Sequence, residues 1–213
     1  MIATKRVFLS GLMALALGLG AAAPAAAADA SAPDLLIRQL SIETLEAVKS
    51  DKAIQAGDMQ KIIALVDAKV MPNIDFQRMT SSAVGRFWRQ ATLDQQKRLQ
   101  DEFKTLLVRT YAGALREVKD QSIALKPLRA SPEDTEVVVK TEIRGKGEPI
   151  QLDYRLEKIG AIWKIYDVNV LGIWLADQYR NSFAQEIGAN GIDGLIKSLA
   201  DKNQKAAAAL AKS

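Results

Sequence analysis

Apolar positions recur along this chain in two rhythms, and the switch between them separates a helical half, a strand block and a helical tail. In "ATLDQQKRLQDEFKTLLVRTYAGAL", Leu99, Phe103, Leu106, Leu107, Thr110, Tyr111, Ala114 and Leu115 form one broad face, which predicts a long amphipathic helix. Thr92 and Gln95 have the spacing of a capping box at its start. Asp94–Arg98 and Lys97–Asp101 set opposite charges one turn apart on its solvated side. Upstream, Pro33 and Asp34 open a helix running to about Lys49. Gly57 breaks the chain, and Asp58 caps a second helix carrying Ile62, Ile63, Val66 and Val70 until Pro72 stops it. Asn73 or Asp75 then caps short helical turns through "NIDFQRMTSSAVGRFW".

The second rhythm has period two. "SIALKPLRA", "TEVVVKTEIR", "PIQLDYRLEK" and "AIWKIYDVNV" read as strands. In the third, Ile150, Leu152, Tyr154 and Leu156 alternate with Gln151, Asp153, Arg155 and Glu157, the mark of an antiparallel strand with one wet face. Gly145 and Gly147 mark one turn and Gly160 the next, so the strands form a meander. Pro127 puts the first at an edge or a bulge. The fourth differs. Strict alternation sends Trp163 and Ile165 one way and Ile162, Tyr166, Val168 and Val170 the other, which leaves apolar surface on both faces. After Gly172 the pattern predicts a helix with Ile173, Ala176, Tyr179, Phe183 and Ile187 on one face and Trp174 and Leu175 beside it. A break in "GANGIDG" precedes a last helix on Ile192, Leu195, Ile196 and Leu199.

The expected fold class is α+β: a twisted antiparallel sheet of about four strands packed by helices. A packed core and an open tunnel share this periodicity. If the long helix does not fill the concave side of the sheet, an apolar cavity remains between them.

Composition narrows the chemistry. Hydrophobic residues are 48% and charged ones 25% of 213, an ordinary globular balance that favours one folded domain. Residues 1–28 stand apart. Lys5 and Arg6, an apolar run from Val7 to Leu19, and Ala26 and Ala28 in "AAAPAAAADA" make the pattern of a cleaved signal peptide, which we rank above a membrane anchor. With no Cys after the run there is no lipoprotein anchor. The mature domain is then 29–213, and loss of Lys5 and Arg6 leaves 27 basic against 25 acidic residues. No dense basic patch interleaved with aromatics points to nucleic acid.

The chain has no His and no Cys. Ser-His-Asp and Cys-His catalysis are therefore excluded, and ordinary zinc sites lose their usual ligands. The acid pairs Asp101/Glu102, Glu133/Asp134 and Asp153/Glu157 fall on solvated faces or turns rather than across a cleft. Gly145 and Gly147 precede no helix and read as a hairpin, not a phosphate loop. Arg86, Arg89, Arg144, Lys146 and Arg180 are solvated charges, some of which can stand at a pocket mouth. Asp167, a strand acid between apolar neighbours, is out of place: it pairs with an Arg, caps the next element, or serves a small enzyme built on carboxylate and Tyr.

Pro72, Asp75, Phe76, Gly85, Trp88, Thr92, Gln95, Phe103, Leu107, Tyr111, Asp167, Val168, Gly172, Tyr179, Arg180, Phe183, Gly191 and Leu195 form an ordered set over nearly the whole 29–213 stretch. It resembles the MlaC family of periplasmic lipid-binding, or toluene-tolerance, proteins. The resemblance implies a non-enzymatic, monomeric phospholipid carrier of the periplasm that maintains outer-membrane lipid asymmetry. Its implied partners are an inner-membrane ABC transporter with an MCE-domain ring and an outer-membrane lipoprotein–porin complex; lipid is cargo, with no cofactor or metal. The candidate lipid wall is Phe103, Leu107 and Tyr111 on the long helix, and Val139, Leu152, Tyr154, Trp163, Ile165 and Val168 on the sheet, then Ile173 and Trp174. Ile173-Trp174 departs from the smaller, more polar pair the family often carries after the glycine. The readings from other classes are a small non-metal enzyme and a peptide-binding adaptor using the same cleft.

Overall fold

The structure, a computed structural model, describes residues 32–210; the leader assigned to 1–28 lies outside the described residues. Helix α1 (Pro33–Ser50) opens on a proline, whose missing N–H is no loss in a first turn. The Asp51 and Asp58 side chains cap α2 (Lys52–Ala56) and α3 (Met59–Leu65), with Gly57 between them at φ 91°. The chain then widens into a π-turn over Val66–Val70 and tightens at Met71–Asn73. Asp75 accepts the Arg78 N–H and starts α4 (Phe76–Val84), as one of the two caps expected there. The capping box of α5 (Leu93–Arg116) is realised in full: Thr92 Oγ1 accepts from Gln95 N–H, and Gln95 Oε1 from Thr92 N–H at 3.0 Å.

The sheet is a pure antiparallel meander, β1 (Ser122–Leu125), β2 (Glu136–Arg144), β3 (Ile150–Ile159), β4 (Ile162–Val170) and a two-residue β5 (Ile173–Trp174). The four expected strands are present, with β1 on an edge. It ends at Leu125 because Lys126 makes the last bond to β2 and Pro127 has no N–H to continue the ladder. The small fifth strand stands where the sequence pattern predicts helix from Ile173. Its helix, α6 (Leu175–Leu210), starts two residues later and is broken at Gly191, where the backbone takes φ 72°, ψ −179°. That break is the one the "GANGIDG" composition predicts.

Strand β4 corrects the two-faced reading. Leu156 pairs with Ile165 but Arg155 pairs with Asp167, so Tyr166 is an extra residue, a β-bulge. The bulge resets the alternation. Val168 and Val170 therefore share a face with Trp163 and Ile165, while Tyr166 turns to the polar face. Apolar surface on this strand points mainly one way, toward the side lined by Val137, Val139, Leu152, Tyr154 and Leu156.

Three apolar clusters result. Ile37 of α1 packs on Val137, Val139, Tyr154, Leu156 and Ile165 to make a sheet core. Phe76, Met79, Leu99, Phe103, Phe183, Leu195 and Leu199 make a helical core from α4, α5 and α6. Val48, Ile54, Ile62 and Ala112 join α1–α3 to α5. Among the described residues the sheet core and the helical core have only Ile74 and Val168 in common. Ile74 bridges to Ile165 on the free edge of β4, where Asp75 N–H donates to Ile165 O at 2.8 Å.

Asp167 ties the layers together from the polar face. Its carboxylate accepts from Arg155 (3.0 Å), from Val168 N–H (2.9 Å) and from Ala176 N–H in the first turn of α6 (3.1 Å). Of the roles open to this acid, pairing and capping are both realised. Burial raises its pKa, against the downward pull of the two backbone N–H groups and Arg155. Replacing Asp167 with Ala leaves those donors without an acceptor. The expected loss in urea unfolding is about 3 kcal/mol, with Asp167→Asn costing less because it keeps an acceptor oxygen.

Candidate functional site

The inner face of the sheet is sealed at one end and open at the other. Along β3, Leu156 is 0% and Tyr154 9% exposed, Leu152 is half-buried, and Ile150 is 46% exposed. Along β4, Ile165 is buried, Val168 and Val170 are half-buried, and Leu171 beyond them is 66% exposed. The sealed end lies under α1 and Ile74. Across the interior, α5 packs chiefly on other helices. Leu107 and Tyr111, one and two turns beyond the fully buried Phe103 on the same face, are only half-buried, as is Tyr179 of α6. The apolar interior is thus divided by a seam, with half-buried apolar side chains in both layers and a joint at Ile74 and Val168.

The sequence candidates separate accordingly. Phe103 is helical core, its ring 5.0 Å from Tyr179 and 5.3 Å from Phe183. Val139, Tyr154 and Ile165 are sheet core. Leu107, Tyr111, Leu152, Trp163 and Val168 are half-buried. Ile173 stands opposite Val170 and is 55% exposed at the open end. Trp174 stands opposite Asn169, a position of the polar face, with the Arg155 guanidinium 3.8 Å above its ring. It is removed from the other candidates.

Leu36, Ile37 and Leu40 of α1, and Ile74, were not among the candidates although they close the sheet core. The helical spacing of the first three was visible, but nothing in it says which surface α1 covers. Two open clefts lie elsewhere, and neither is apolar. One of about 590 Å³ runs over the polar sheet face beside Glu136, Lys140, Arg155 and Tyr166. The other, about 460 Å³, is walled by charged side chains of α6. Near the first, Arg78 pairs with Glu136 (2.6 Å) and Glu157 and lies 3.7 Å over the Tyr166 ring. Among the described residues no three acidic groups gather to hold a metal, and no helix is long and apolar enough to cross a membrane.

A helical layer and a bulged meander, whose two apolar cores share Ile74 and Val168, define a small α+β domain. The sequence model of the family described as "MlaC protein" matches residues 38–201, and the chain belongs to the MlaC family. It is 28% identical over 165 residues to the toluene tolerance protein ttg2D of Pseudomonas putida, covering 77% of each chain. It is 19% identical over 170 residues to the intermembrane phospholipid transport system binding protein MlaC of Haemophilus influenzae, covering 78% of this chain and 79% of that one. Among solved structures, the phospholipid-binding protein of Ralstonia solanacearum, determined in complex with a phospholipid, is 44% identical. It matches with a TM-score of 0.79 over 82% of this chain and 98% of its own.

Tyr154 reports on the sealed end. Burial pushes its phenol up to about 12, while the Ser41 and Thr141 hydroxyls pull the other way. An unfolded tyrosine ionises near 10, so this group's contribution to stability is fully present below pH 10 and is lost as pH rises toward 12. Titrating tyrosinate absorbance should show a step near pH 12 that Tyr154→Phe removes.

Proposed function

We propose that the chain is a periplasmic phospholipid carrier whose cargo places its acyl chains in the seam between the sheet and the helical layer. The observation that carries this reading is the divided interior: two cores that meet at Ile74 and Val168 and leave half-buried apolar side chains on both sides. Family membership and the 44% identical relative solved with a phospholipid support it. In this reading Leu107, Tyr111, Leu152, Trp163 and Val168 touch the acyl chains, while Phe103, Val139, Tyr154 and Ile165 form the packed bed behind them. Ile173 belongs to the rim, and Trp174 holds Arg155 on the outer face.

The physics of transport fits such a seam. Each CH₂ exposed to water costs about 0.8 kcal/mol, so a two-chain lipid meets a barrier on the order of 20 kcal/mol when it crosses water alone. A protein interior that buries the chains nearly as well as a bilayer removes most of that barrier and still releases its cargo. The process needs binding and shape and no bond-making group, in keeping with a chain that has neither His nor Cys. The reading extends to export by the 1–28 leader, a working domain of 29–213, and exchange with an inner-membrane ABC transporter bearing an MCE-domain ring and an outer-membrane lipoprotein–porin complex.

Organic extraction of the purified protein followed by mass spectrometry should return phospholipid near one equivalent; protein that carries none overturns the proposal. Leu152→Trp and Leu107→Trp should lower that content severalfold with little change in urea midpoint, because both side chains are only half-buried. Val139→Trp, in the sealed bed, should instead destabilise the fold by about 1–3 kcal/mol, the usual cost of overpacking.

A further inference from the structure

Glu136 on β2 and Glu157 on β3 stand directly opposite each other in the sheet register. Like charges so placed repel, and the pair is destabilising without a counter-charge. Arg78 of α4 supplies it. One guanidinium nitrogen donates to Glu136 at 2.6 Å and the other to Glu157 Oε2. The guanidinium lies 3.7 Å over the Tyr166 ring, whose hydroxyl donates to Glu136 at 3.2 Å. A third acid, Asp75, stands at the head of the same helix, where its Oδ1 accepts the Arg78 backbone N–H at 2.8 Å. A single cation thus serves several carboxylates.

Glu157 is left half satisfied. Its Oε2 meets Arg78, but Oε1 is shielded from solvent and has no donor among the described residues. Lys164, its register partner on β4, is not that donor, because its ammonium donates to Pro72 O at 2.5 Å. Arg155, the next cation along β3, is engaged by Asp167 and Asp177. A buried carboxylate oxygen without a donor bears its desolvation cost uncompensated. A proton on Oε1 reverses the situation. The oxygen becomes a donor, and the Asp75 carboxylate is within hydrogen-bond reach as its acceptor. Burial is the largest influence on Glu157 and raises its pKa; Asp75 adds to the rise and Arg78 opposes it.

We propose that Glu157 and Asp75 form a proton-binding site at the junction of α4 with the sheet. The proton bridges the two carboxyl groups, so Glu157 keeps Arg78 on Oε2 and reaches Asp75 through Oε1. It also removes one of the negative charges gathered about Arg78. The site acts where α4, which brings Phe76 and Met79 to the helical core, meets β2, β3 and β4. It does not depend on the carrier reading. A carboxyl with a raised folded pKa contributes stability that is fully present below its ordinary value of 4.5. That contribution is lost as pH rises through the folded value. The junction is therefore tighter in mild acid than at neutral pH. Glu136, held low chiefly by Arg78, has the opposite slope, and its contribution is lost only as pH falls below 4.5.

The test is a pH titration of the mature protein followed by carbon NMR of its labelled carboxyl groups. Glu157 should titrate with a midpoint above 4.5 and Glu136 with one below it. Asp75→Asn keeps an acceptor oxygen at the start of α4 and removes the charge, so it should lower the Glu157 midpoint. In urea unfolding, the parent should lose stability between about pH 5 and about pH 7.5, and Glu157→Gln should lose less. Asp167, whose pKa burial also raises, supplies the slope that remains. A Glu157 midpoint at or below 4.5 overturns the proposal, as does an Asp75→Asn protein in which that midpoint does not fall. An unchanged slope in Glu157→Gln overturns it as well. Should Glu157→Gln fail to fold, the titrations of the parent and of Asp75→Asn decide the matter.

Discussion

Two apolar layers that do not fuse need some other interaction to hold them in register, and here that interaction is made by one buried carboxylate. Asp167 is 2% exposed and reaches three donors: a guanidinium on β3, its own strand's next N–H, and the first turn of α6. An acid in that position is costly to desolvate, and its raised pKa reflects the cost. The three donors offset it. Placed at the start of α6, the negative charge also sits where the helix dipole favours it. Arg155, held between Asp167, Asp177 and the Trp174 ring, is the other half of the joint. The polar face of the sheet is therefore a face that sets layer geometry.

The bulge at Tyr166 makes that division possible. Without it, Ile165 and Val168 would lie on opposite faces, and the sheet would need a second apolar covering layer. With it, all the large aliphatic residues of β4 from Ile165 to Val170 serve one interior, and Tyr166 turns outward to Arg78 and Glu136. The burial gradient along β3, from Leu156 to Ile150, then gives the seam a closed end and an open one.

Much of the architecture was legible because it rests on local chemistry. The Thr92–Gln95 capping box, the Asp58 cap, the glycines between strands and the break near Gly191 each announce themselves within a few residues, and each is present. What was not legible depends on pairing. A period-two reading assumes one residue per partner, so it placed Val168 opposite Ile165 in orientation; only the register with Arg155 and Leu156 exposes Tyr166 as the extra residue. The β5 strand was hidden because Leu171 is a poor turn residue and its neighbours suit a helix. The wall of the seam was harder still. Phe103 and Leu107 have the same periodicity, and one is fully buried while the other is not. No pattern along a single helix says where its neighbours stop.

The interruption at Gly191 decides how the helical layer closes. An unbroken helix of 36 residues would extend about 54 Å and project well past so small a domain. Bent back instead, its two limbs, with Phe183 and Ile187 on one and Leu195, Ile196 and Leu199 on the other, close around Phe103 and Leu99. The helical layer is consequently a self-contained bundle that owes little of its cohesion to the strands. One segment of chain thereby supplies two walls around α5, and straightening it through Gly191 would strip one of them away.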